Sequence, residues 1–432
     1  MKTTAKSAAR AQNKRARGTF IHYQPIHVAK EMAKRILLVN KFYYSRGGAE
    51  IVVINLRDML TSLGYEVGIF TMDFSGNLHE PGIFTAPEVS FKGSLGQKLR
   101  FARRTLGGAG LKASFMQALS EFAPDVVHLH NVHSYLSPAM AQWAHERGIR
   151  VVWTLHDYKL LCPAYSCLNH GHPCEKCYTA KWHVLAERCF KQSGAASALA
   201  WVEAHKWNRG WIERNVDAFV CPSQFMRGQM LKGGFSDAKL HVVCNFIDPV
   251  KAAELEKNSQ TAKEDYYSYI GRLSEEKGVA TLLKAAATLP YKLKVAGDGP
   301  LMAQFRQQYG GNANIEFLGQ LSAVQVSNLQ RKARFVVQPS ECYENNPLSV
   351  IESLCAGTPV IGARIGGIPE LITPSCGLTY AMGNAAELAG CIAEMMEHSC
   401  RYDNQAIAAE ASERFSGKTH FAKLKPLYFP QQ

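Results

Sequence analysis

The sequence predicts an α/β protein built from two halves, each a parallel sheet with helices packed against it. From Arg35 onward, apolar runs of strand length alternate with amphipathic runs of helix length, which is typical of βαβ units. This pattern stops at Leu161, resumes near Ala218, and continues as a second regular series from Tyr267. At 432 residues the chain also exceeds the size at which one hydrophobic core keeps growing. We therefore expect two domains joined by a hinge.

The apolar runs define the strands in order. The first series predicts strands at 35–40, 66–73, 125–131 and 150–157, with helices at 48–64 and near 137–147. The second series predicts strands at 218–223, 241–246, 267–271, 291–296, 315–318, 335–338 and 359–363. We therefore place the boundary between the two domains at residue 213.

Composition and charge favour a protein without a membrane span that binds anionic partners. No apolar run approaches the roughly 18 to 20 residues that cross a bilayer, and residues 1–34 lack an apolar signal stretch, so we expect a cytoplasmic protein. A net charge of +13 suits phosphate-bearing ligands, anionic lipids or nucleic acid. No aromatic RNA-binding motif or zinc-finger spacing supports the nucleic-acid alternative.

Two segments concentrate the positive charge. Residues 1–17 hold six basic and no acidic residues, which predicts a disordered basic tail over 1–34. Residues 91–112 are also free of acids and place leucines such as Leu95 and Leu99 among basic side chains. This second segment either lies on an anionic membrane surface or is a solvated helix face packed on the core.

Ligands of an open α/β sheet bind beyond the carboxyl ends of the strands, so the residues after each strand are candidate site residues. Gly47 and Gly48 follow the first strand and open a helix, where backbone N–H groups can hold an anion. A tight strand-to-helix turn explains these glycines as well. After the strand at 267–271, Arg272 and Lys277 could neutralise a diphosphate leaving group.

A third such segment follows the strand at 335–338. Glu344 precedes a helix whose first turn should contain Pro347, and Glu352 lies about two turns further on. Two carboxylates at this spacing can each accept hydrogen bonds from the vicinal hydroxyls of a sugar. The backbone at the mouth of this helix should face the same cleft and bind phosphate; it comprises Asn345, Asn346, Pro347 and Leu348.

These motifs together resemble the family 4 glycosyltransferases, a retaining group with the GT-B fold. The spacing of Glu344 and Glu352 matches the E-x7-E motif of that family. Other motifs match in order and spacing: GGAE at 47–50, GRLSEEKG at 271–278, AGDGP at 296–300, AGTPVI at 356–361 and GGIPE at 366–370. The resemblance covers roughly residues 35–425.

The resemblance implies two Rossmann-like domains facing across a cleft. The domains would be an acceptor-side domain at 35–212, a nucleotide-sugar domain at 213–405, and a C-terminal helix at 406–432 that crosses back to the first domain. Glu344 would hold hydroxyls of the transferred sugar, Glu352 the ribose, and Arg272 with Lys277 the diphosphate. Gly48 would supply an N–H group to the phosphate from the opposite domain.

Histidines follow two strands of the first domain. His130 and His156 should reach the cleft and hydrogen-bond either the donor sugar or the acceptor hydroxyl, although a histidine in a strand is often a core residue. The family mechanism lets the leaving phosphate take the acceptor proton. The chain contains no Asp-x-Asp pair, so no divalent metal is expected in catalysis.

A cysteine-rich insertion at 161–190 interrupts the first domain. Its spacing, with a C-x2-C pair, is compatible with a structural zinc site formed by Cys167, Cys174, Cys177 and Cys189. Free thiols or a redox-labile loop are the alternatives. Some family members that build surface polysaccharides carry a similar insertion, so this loop could cover the acceptor pocket.

The sequence therefore predicts a retaining glycosyltransferase. The donor would be a UDP- or GDP-linked sugar and the acceptor a glycan or lipid-linked hydroxyl, in surface-polysaccharide biosynthesis. The enzyme would be cytoplasmic or peripheral at the inner membrane face. The alternatives are a GT-B phosphorylase, a sugar-nucleotide epimerase and, outside enzymology, a nucleic-acid-binding protein.

Overall fold

The computed structural model describes residues 34–257 and 261–431. The predicted basic tail, apart from its last residue, lies outside the described residues. Two parallel sheets with helices on their faces make up the described chain, so the predicted α/β architecture of two sheet-based halves is confirmed.

The described residues of the first half contain nine strands and nine α-helices. The strands are β1 (Arg35–Val39), β2 (Glu66–Met72), β3 (Ile83–Ala86), β4 (Val126–Leu129), β5 (Arg150–Thr154), β6 (Leu168–Asn169), β7 (His172–Pro173), β8 (Ala218–Cys221) and β9 (Leu240–Val242). The helices are α1 (Gly48–Ser62), α2 (Leu95–Thr105), α3 (Leu111–Phe122), α4 (Ala139–His145), α5 (Lys176–Thr179), α6 (His183–Ala186), α7 (Gly194–Lys206), α8 (Arg209–Asn215) and α9 (Gln224–Lys232). Seven strands form one sheet in the order β3-β2-β1-β4-β5-β8-β9, and β6 pairs with β7 in a separate hairpin.

The described residues of the second half contain six strands and eight α-helices, counting the last helix of the chain, which returns to the first sheet. The strands are β10 (Tyr267–Ile270), β11 (Leu293–Ala296), β12 (Ile315–Gly319), β13 (Val336–Gln338), β14 (Val360–Ala363) and β15 (Gly377–Tyr380). The helices are α10 (Pro249–Lys257), α11 (Val279–Ala286), α12 (Met302–Tyr309), α13 (Ala323–Lys332), α14 (Leu348–Cys355), α15 (Ala385–Glu397), α16 (Asn404–Arg414) and α17 (Gly417–Tyr428). The sheet order is β12-β11-β10-β13-β14-β15, with β10 and β13 at its centre. Within the described residues, no helix is long and apolar enough to span a bilayer.

The predicted domain boundary at residue 213 is wrong. β8 pairs in parallel with β5, and β9 pairs with β8, so the first sheet continues to Val242. Both strands belong to βαβ units of the same kind as those of the second sheet, and local periodicity carries no information about which sheet a strand joins. The chain passes to the second half between β9 and β10.

The C-terminal segment divides between the two halves. α16 packs against α10 and α14 of the second half. α17 lies on the first sheet: Leu424 packs in one apolar cluster with Ile36 and Val220, and the Tyr428 hydroxyl lies 2.6 Å from His128 Nδ1. The return to the first half therefore takes place at α17, and the predicted start of this segment at residue 406 was too early.

A carboxylate of the second half caps a helix of the first half. Glu370 follows β14, and its two carboxylate oxygens accept the backbone N–H groups of Gln224 at 2.7 Å and Phe225 at 2.6 Å. A negative charge at the first turn of α9 satisfies free N–H groups and is favoured by the helix dipole. This contact helps to fix the angle between the two sheets, whose loops form the cleft.

Candidate functional site

A cavity of about 580 Å³ lies between the two halves at the carboxyl ends of their strands. Residues of the first half that line it include His156, Asp157 and Tyr165. Residues of the second half include Arg272, Tyr343, Glu344 and Asn345. A volume of this size is typical of a ligand pocket, ~300–1,000 Å³.

Lys277 and Glu344 form an ion pair beside this cavity. Lys277 Nζ is 2.6 Å from Glu344 Oε1, and Ser340 Oγ donates a hydrogen bond to the same oxygen at 2.9 Å. Burial alone would lower the pKa of Lys277, but the adjacent Glu344 carboxylate outweighs it and raises that pKa. The lysine is therefore held in its charged form, close to the exposed Arg272 on the same loop.

Glycine brings the two charged loops together. Gly278 follows Lys277 with φ +64°, and a β-carbon added to it would lie 1.9 Å from the carbonyl oxygen of Pro339. Only glycine permits this approach and this backbone conformation. Since Pro339 begins the loop that carries Glu344, a side chain at 278 would separate the ion pair.

The GGIPE segment supports the same loop from the other side. A β-carbon at Gly366 would lie 2.3 Å from the carbonyl oxygen of Glu344, and one at Gly367 would lie 1.9 Å from that of Asn345. The N–H group of Gly367 donates to the Glu344 carbonyl at 2.7 Å. The glycine pair thus fixes the backbone of both site residues, which explains why this motif lies next to the acidic one.

The mouth of α14 is tied to the first half. Asn345 donates from Nδ2 to the His156 carbonyl at 2.9 Å. Asn346 is buried, and its Oδ1 and carbonyl oxygen accept from the backbone N–H and Nδ2 of Asn245 at 2.9 and 2.8 Å. Pro347 is extended at the N-cap position, so the helix begins at Leu348, one residue later than the sequence predicts.

The glycine-rich turn of the first half faces α14. α1 begins at Gly48, and Gly47 precedes it in extended conformation. A β-carbon at Gly48 would lie 4.0 Å from Leu348 Cδ1. The N-terminus of α1 therefore lies against the first residue of α14, and each of these helix ends carries free N–H groups and partial positive charge.

Glu352 is not among the residues that line the cavity. Its Oε1 is 2.5 Å from Nζ of Lys251, and its side chain is 17% exposed. This mostly buried carboxylate is therefore paired with a cation of α10.

Only one of the two predicted histidines reaches the cavity. His156 lines it, whereas His130 is 1% exposed and lies behind, with Nδ1 2.9 Å from His156 Nε2. The expectation that His130 also reaches the cleft was wrong, because its ring is enclosed between His156 and His128, whose ring centroid is 4.2 Å away. His130 therefore orients His156.

Burial keeps these histidines neutral. It lowers the pKa of His156 to about 3, with a smaller contribution from the positive charge of Lys41. Burial likewise lowers the pKa of His130 well below its usual value, with the nearby His128 adding to the effect. At neutral pH both rings are uncharged. His156 can therefore donate or accept a hydrogen bond with a ligand, but it is a weak base.

We expect the buried histidines to make the fold sensitive to acid. Burial lowers the pKa of His420 to about 4. In the unfolded chain this histidine takes up a proton near pH 6.5, whereas in the folded chain it stays neutral until the pH approaches 4. Its contribution to the free energy of unfolding is therefore fully present above about pH 6.5 and is lost as the pH falls towards 4. Each such histidine contributes about 1.4 kcal/mol per pH unit in that window. The free energy of unfolding, measured by urea denaturation, should decrease between pH 7 and pH 5 in both proteins. The decrease should be smaller in His420→Gln than in the unmodified protein, by about 2 kcal/mol. The exposed His145→Gln should show no such difference.

The structure does not assemble the predicted zinc site. Throughout residues 34–257 and 261–431, no group of three or more His, Cys, Asp or Glu side chains is arranged to hold a metal ion, and all the cysteines there are free. The Cys167 thiol instead lies 3.4 Å from the Tyr178 hydroxyl, and the Cys189 thiol donates to Asn169 at 3.7 Å. Sequence spacing suited tetrahedral coordination, but the loop packs Cys167 and Cys177 into the apolar core of the first half.

Three residues of the site carried little signal in the sequence. Lys251 and Asn245 lie in the connection between the two sheets, and each reaches a partner 101 residues away. Ser340 begins the acidic loop but has no distinctive spacing. The first two could have been suggested only by asking which polar residues flank the hinge, since a buried carboxylate or amide needs a partner.

Two family models match consecutive parts of the chain. One, described as Glycosyltransferase Family 4, matches residues 46–251, and the other, described as Glycosyl transferases group 1, matches residues 250–414. Their meeting point falls between β9 and β10, where the chain passes from one sheet to the other.

Individual proteins resemble the chain over most of its length. An uncharacterized 42.6 kDa protein of the Klebsiella pneumoniae cps region is 25% identical and aligns over 78% of this chain and 87% of its own. Anabaena HepE, solved with UDP and glucose, superposes with a TM-score of 0.61 at 18% identity, covering 91% of this chain and 98% of HepE. The lipopolysaccharide outer core galactosyltransferase WaaB superposes with a TM-score of 0.61 at 19% identity, covering 91% of this chain and 99% of WaaB. The predicted GT-B fold is confirmed.

Proposed function

The chain belongs to the family 4 glycosyltransferases, and on that basis we propose that it is a retaining enzyme of surface-polysaccharide biosynthesis. It transfers a sugar from a nucleoside diphosphate sugar to a hydroxyl group of a glycan or lipid-linked acceptor. The cps-region relative and the lipopolysaccharide galactosyltransferase among the structural neighbours support this setting. HepE, solved with UDP and glucose, supports the donor class.

One observation carries the proposal: Arg272 lines a cavity between the two halves together with Glu344, which holds Lys277 beside it, and the N-termini of α1 and α14 meet nearby. Two cations and two sets of free N–H groups suit a diphosphate, whose charge grows as the glycosidic bond breaks. Glu344 is the acid beside this anion site and would accept hydrogen bonds from the transferred sugar.

The same geometry supports a reaction without a protein base. The acceptor oxygen attacks the anomeric carbon on the face from which the diphosphate leaves, the bond from that carbon to the phosphate oxygen breaks, and the departing phosphate oxygen takes the hydroxyl proton. His156, with its pKa lowered to about 3, is too weak a base to compete for this proton at neutral pH. Its role is to hydrogen-bond the sugar or the acceptor.

Binding and product analysis together test the proposal. Thermal-shift screening against UDP, GDP and their sugars should raise the melting temperature for one base, because a ligand of the folded state adds about 2.7 kcal/mol at 100 times its Kd. NMR of the product formed from that α-linked donor should show an α-linkage. A β-linked product would overturn retention, and the absence of any nucleotide effect would overturn the donor assignment.

We expect Glu352→Ala to weaken nucleotide binding by about tenfold, because we assign Glu352 to the ribose hydroxyls and a charged hydrogen bond is worth about 1.5–3 kcal/mol. Calorimetric titration with the preferred nucleotide measures this. Lys251→Ala, which removes only the partner of Glu352, should weaken binding much less. Equal affinity in Glu352→Ala and the unmodified protein would exclude the ribose role.

We further propose that α2 docks the enzyme on an anionic membrane surface, at the inner face of the membrane. Leu95 and Leu99 are 83% and 60% exposed. Four exposed cations surround them: Lys92, Lys98, Arg100 and Arg103. The opposite face of the helix packs on the core through Phe101 and Arg104, so the segment is in part a core-packed helix, and its exposed face supports the membrane proposal.

Vesicle binding should depend on these leucines. The double variant Leu95→Ser/Leu99→Ser should bind vesicles with about 30% anionic lipid more weakly by a factor on the order of 10 or more, since a fully buried leucine contributes about 1.5–3 kcal/mol. Val324→Ser, which removes a valine that is 68% exposed on α13, is the matched control and should have no effect. Equal binding by the double variant would exclude α2 as the docking surface.

A further inference from the structure

A second cavity, of about 390 Å³, lies within the first half of the molecule. It is bounded by α7, α8, the end of α9 and part of the cysteine-rich insertion. Its lysine, arginine and acidic side chains are Lys159, Lys181, Glu203, Arg209 and Lys232. Four cations and one carboxylate leave an excess of positive charge.

The single carboxylate of the cavity is already neutralised. Lys159 Nζ lies 2.9 Å from Glu203 Oε2 and donates to the Pro163 carbonyl at 2.6 Å. Burial alone would raise the pKa of Glu203, but the charge of Lys159 lowers it to about 2. Glu203 therefore stays ionised and balances Lys159. Lys232 is paired in turn with Glu175 at 3.4 Å, so Lys181 and Arg209 set the field in the cavity.

Lys181 has no such counter-charge. Its Nζ donates to the carbonyls of Leu161 at 2.5 Å and Leu160 at 3.5 Å, and in the described part of the chain no carboxylate lies within ion-pair distance of it. Burial lowers the pKa of this lysine, so its charged form is destabilised by desolvation. A bound anion would supply the missing partner, because a partly buried charge is costly without one.

A glycine positions Arg209 at the rim. The Arg209 guanidinium donates to the Gly234 carbonyl, and Gly234 has φ +81°. A β-carbon at 234 would lie 1.9 Å from Arg209 Nη1. The exposed arginine thus lies over a glycine at the end of α9, with part of its guanidinium still available to a ligand.

The second cavity lies between the cavity at the cleft, which we assign to the donor and call the donor cavity, and α2, which we propose to face the membrane. Leu160 and Leu161 line it, and the same loop lines the donor cavity with His156 and Tyr158. On the other side Trp207 lines it, and the Trp207 indole donates to the carbonyl of Thr105, the last residue of α2, at 3.1 Å. A substrate held by its anion here would have its sugar close to the donor and any lipid chain close to α2.

We propose that this second cavity binds a phosphate or diphosphate group, by which the enzyme recognises an anionic, lipid-linked acceptor. Lys181 and Arg209 are the ligands, since Lys232 is already paired with Glu175. The identification of this group with the acceptor rests on the proposed transferase function, whereas the binding of diphosphate itself does not.

Calorimetric titration with inorganic diphosphate tests the site. In the presence of saturating preferred nucleotide, which occupies the donor cavity, one diphosphate should still bind per chain. Lys181→Gln and Arg209→Gln should each weaken it by about tenfold, since each removes a charged hydrogen bond. Lys176→Gln is the control of equal charge, because Lys176 is exposed on the same insertion and pairs with Glu187 outside the cavity.

The outcomes separate the two proposals. If nucleotide binds but no further diphosphate does, or if neither variant weakens it, the second site is overturned and the donor site stands. If no nucleotide binds, the donor assignment fails, and titration without nucleotide still tests the second cavity. Unchanged nucleotide affinity in Arg209→Gln and Lys181→Gln shows that both variants fold.

Farnesyl diphosphate that binds more tightly than inorganic diphosphate supports a lipid-linked source, and equal affinity overturns that source in favour of a free anion.

Discussion

Arg272→Ala is expected to lower kcat by about two to three orders of magnitude while the KM for the donor changes by less than about threefold. The arginine is exposed at the cavity on the loop that follows β10. The Tyr269 hydroxyl donates to its backbone carbonyl at 2.8 Å and holds that loop in place. Negative charge on the diphosphate is greatest as it departs, so the cation stabilises the transition state more than the bound donor. Steady-state kinetics with saturating acceptor measure both constants.

Arg306→Ala provides the control for this variant. Arg306 is an exposed arginine on α12 that does not line the cavity. Its loss removes the same charge from the second half but should leave kcat unchanged. If Arg272→Ala raises KM and spares kcat, Arg272 binds the ground state and does not assist departure of the leaving group.

Most of the fold could be predicted because parallel strands buried on both faces form continuous apolar runs. β1 is such a case, with Ile36 to Val39 fully buried. β3, with residues Ile83–Ala86, was missed because it lies at the sheet edge and only its last residue is buried. The sequence also did not predict that β8 and β9 belong to the first sheet. The pairing of β8 with β5 is a tertiary contact, and local periodicity does not depend on it.

The charged residues of the site were predictable for a different reason. Arg272 and Glu344 each follow a central strand, so topology alone brings them to one edge of the sheet. The partner of Glu352 was less accessible: Lys251 lies on α10, a helix that the sequence pattern did not predict. The ring of His130 is enclosed by His156, which follows the neighbouring strand β5, and the sequence around His130 does not reveal this contact. Strand ends therefore predict where chemistry occurs, and long-range packing decides which side chains take part.

The ion pair between Lys277 and Glu344 should behave as one unit in catalysis. We expect Lys277→Met to lower kcat/KM by about three orders of magnitude, because it removes a cation from the diphosphate site and leaves Glu344 without its counter-charge. Glu344→Gln should lower it by about two orders, because the amide accepts fewer hydrogen bonds from the sugar. The double variant should lose no more than about three orders, well short of the five that independent effects would give.

The double-mutant cycle is measured with one donor and one acceptor, and Lys284→Met is the control, since Lys284 is exposed on α11 outside the cavity. The urea midpoint offers a second readout: Lys277→Met should lower it, and adding Glu344→Gln should restore part of the loss, because the uncompensated carboxylate is then gone. Additive kinetic losses would mean that the lysine and the glutamate act on separate parts of the donor. In that case the short contact between them would be a feature of the free enzyme that opens when the donor binds, and the sugar-binding role of Glu344 would have to be tested without reference to Lys277.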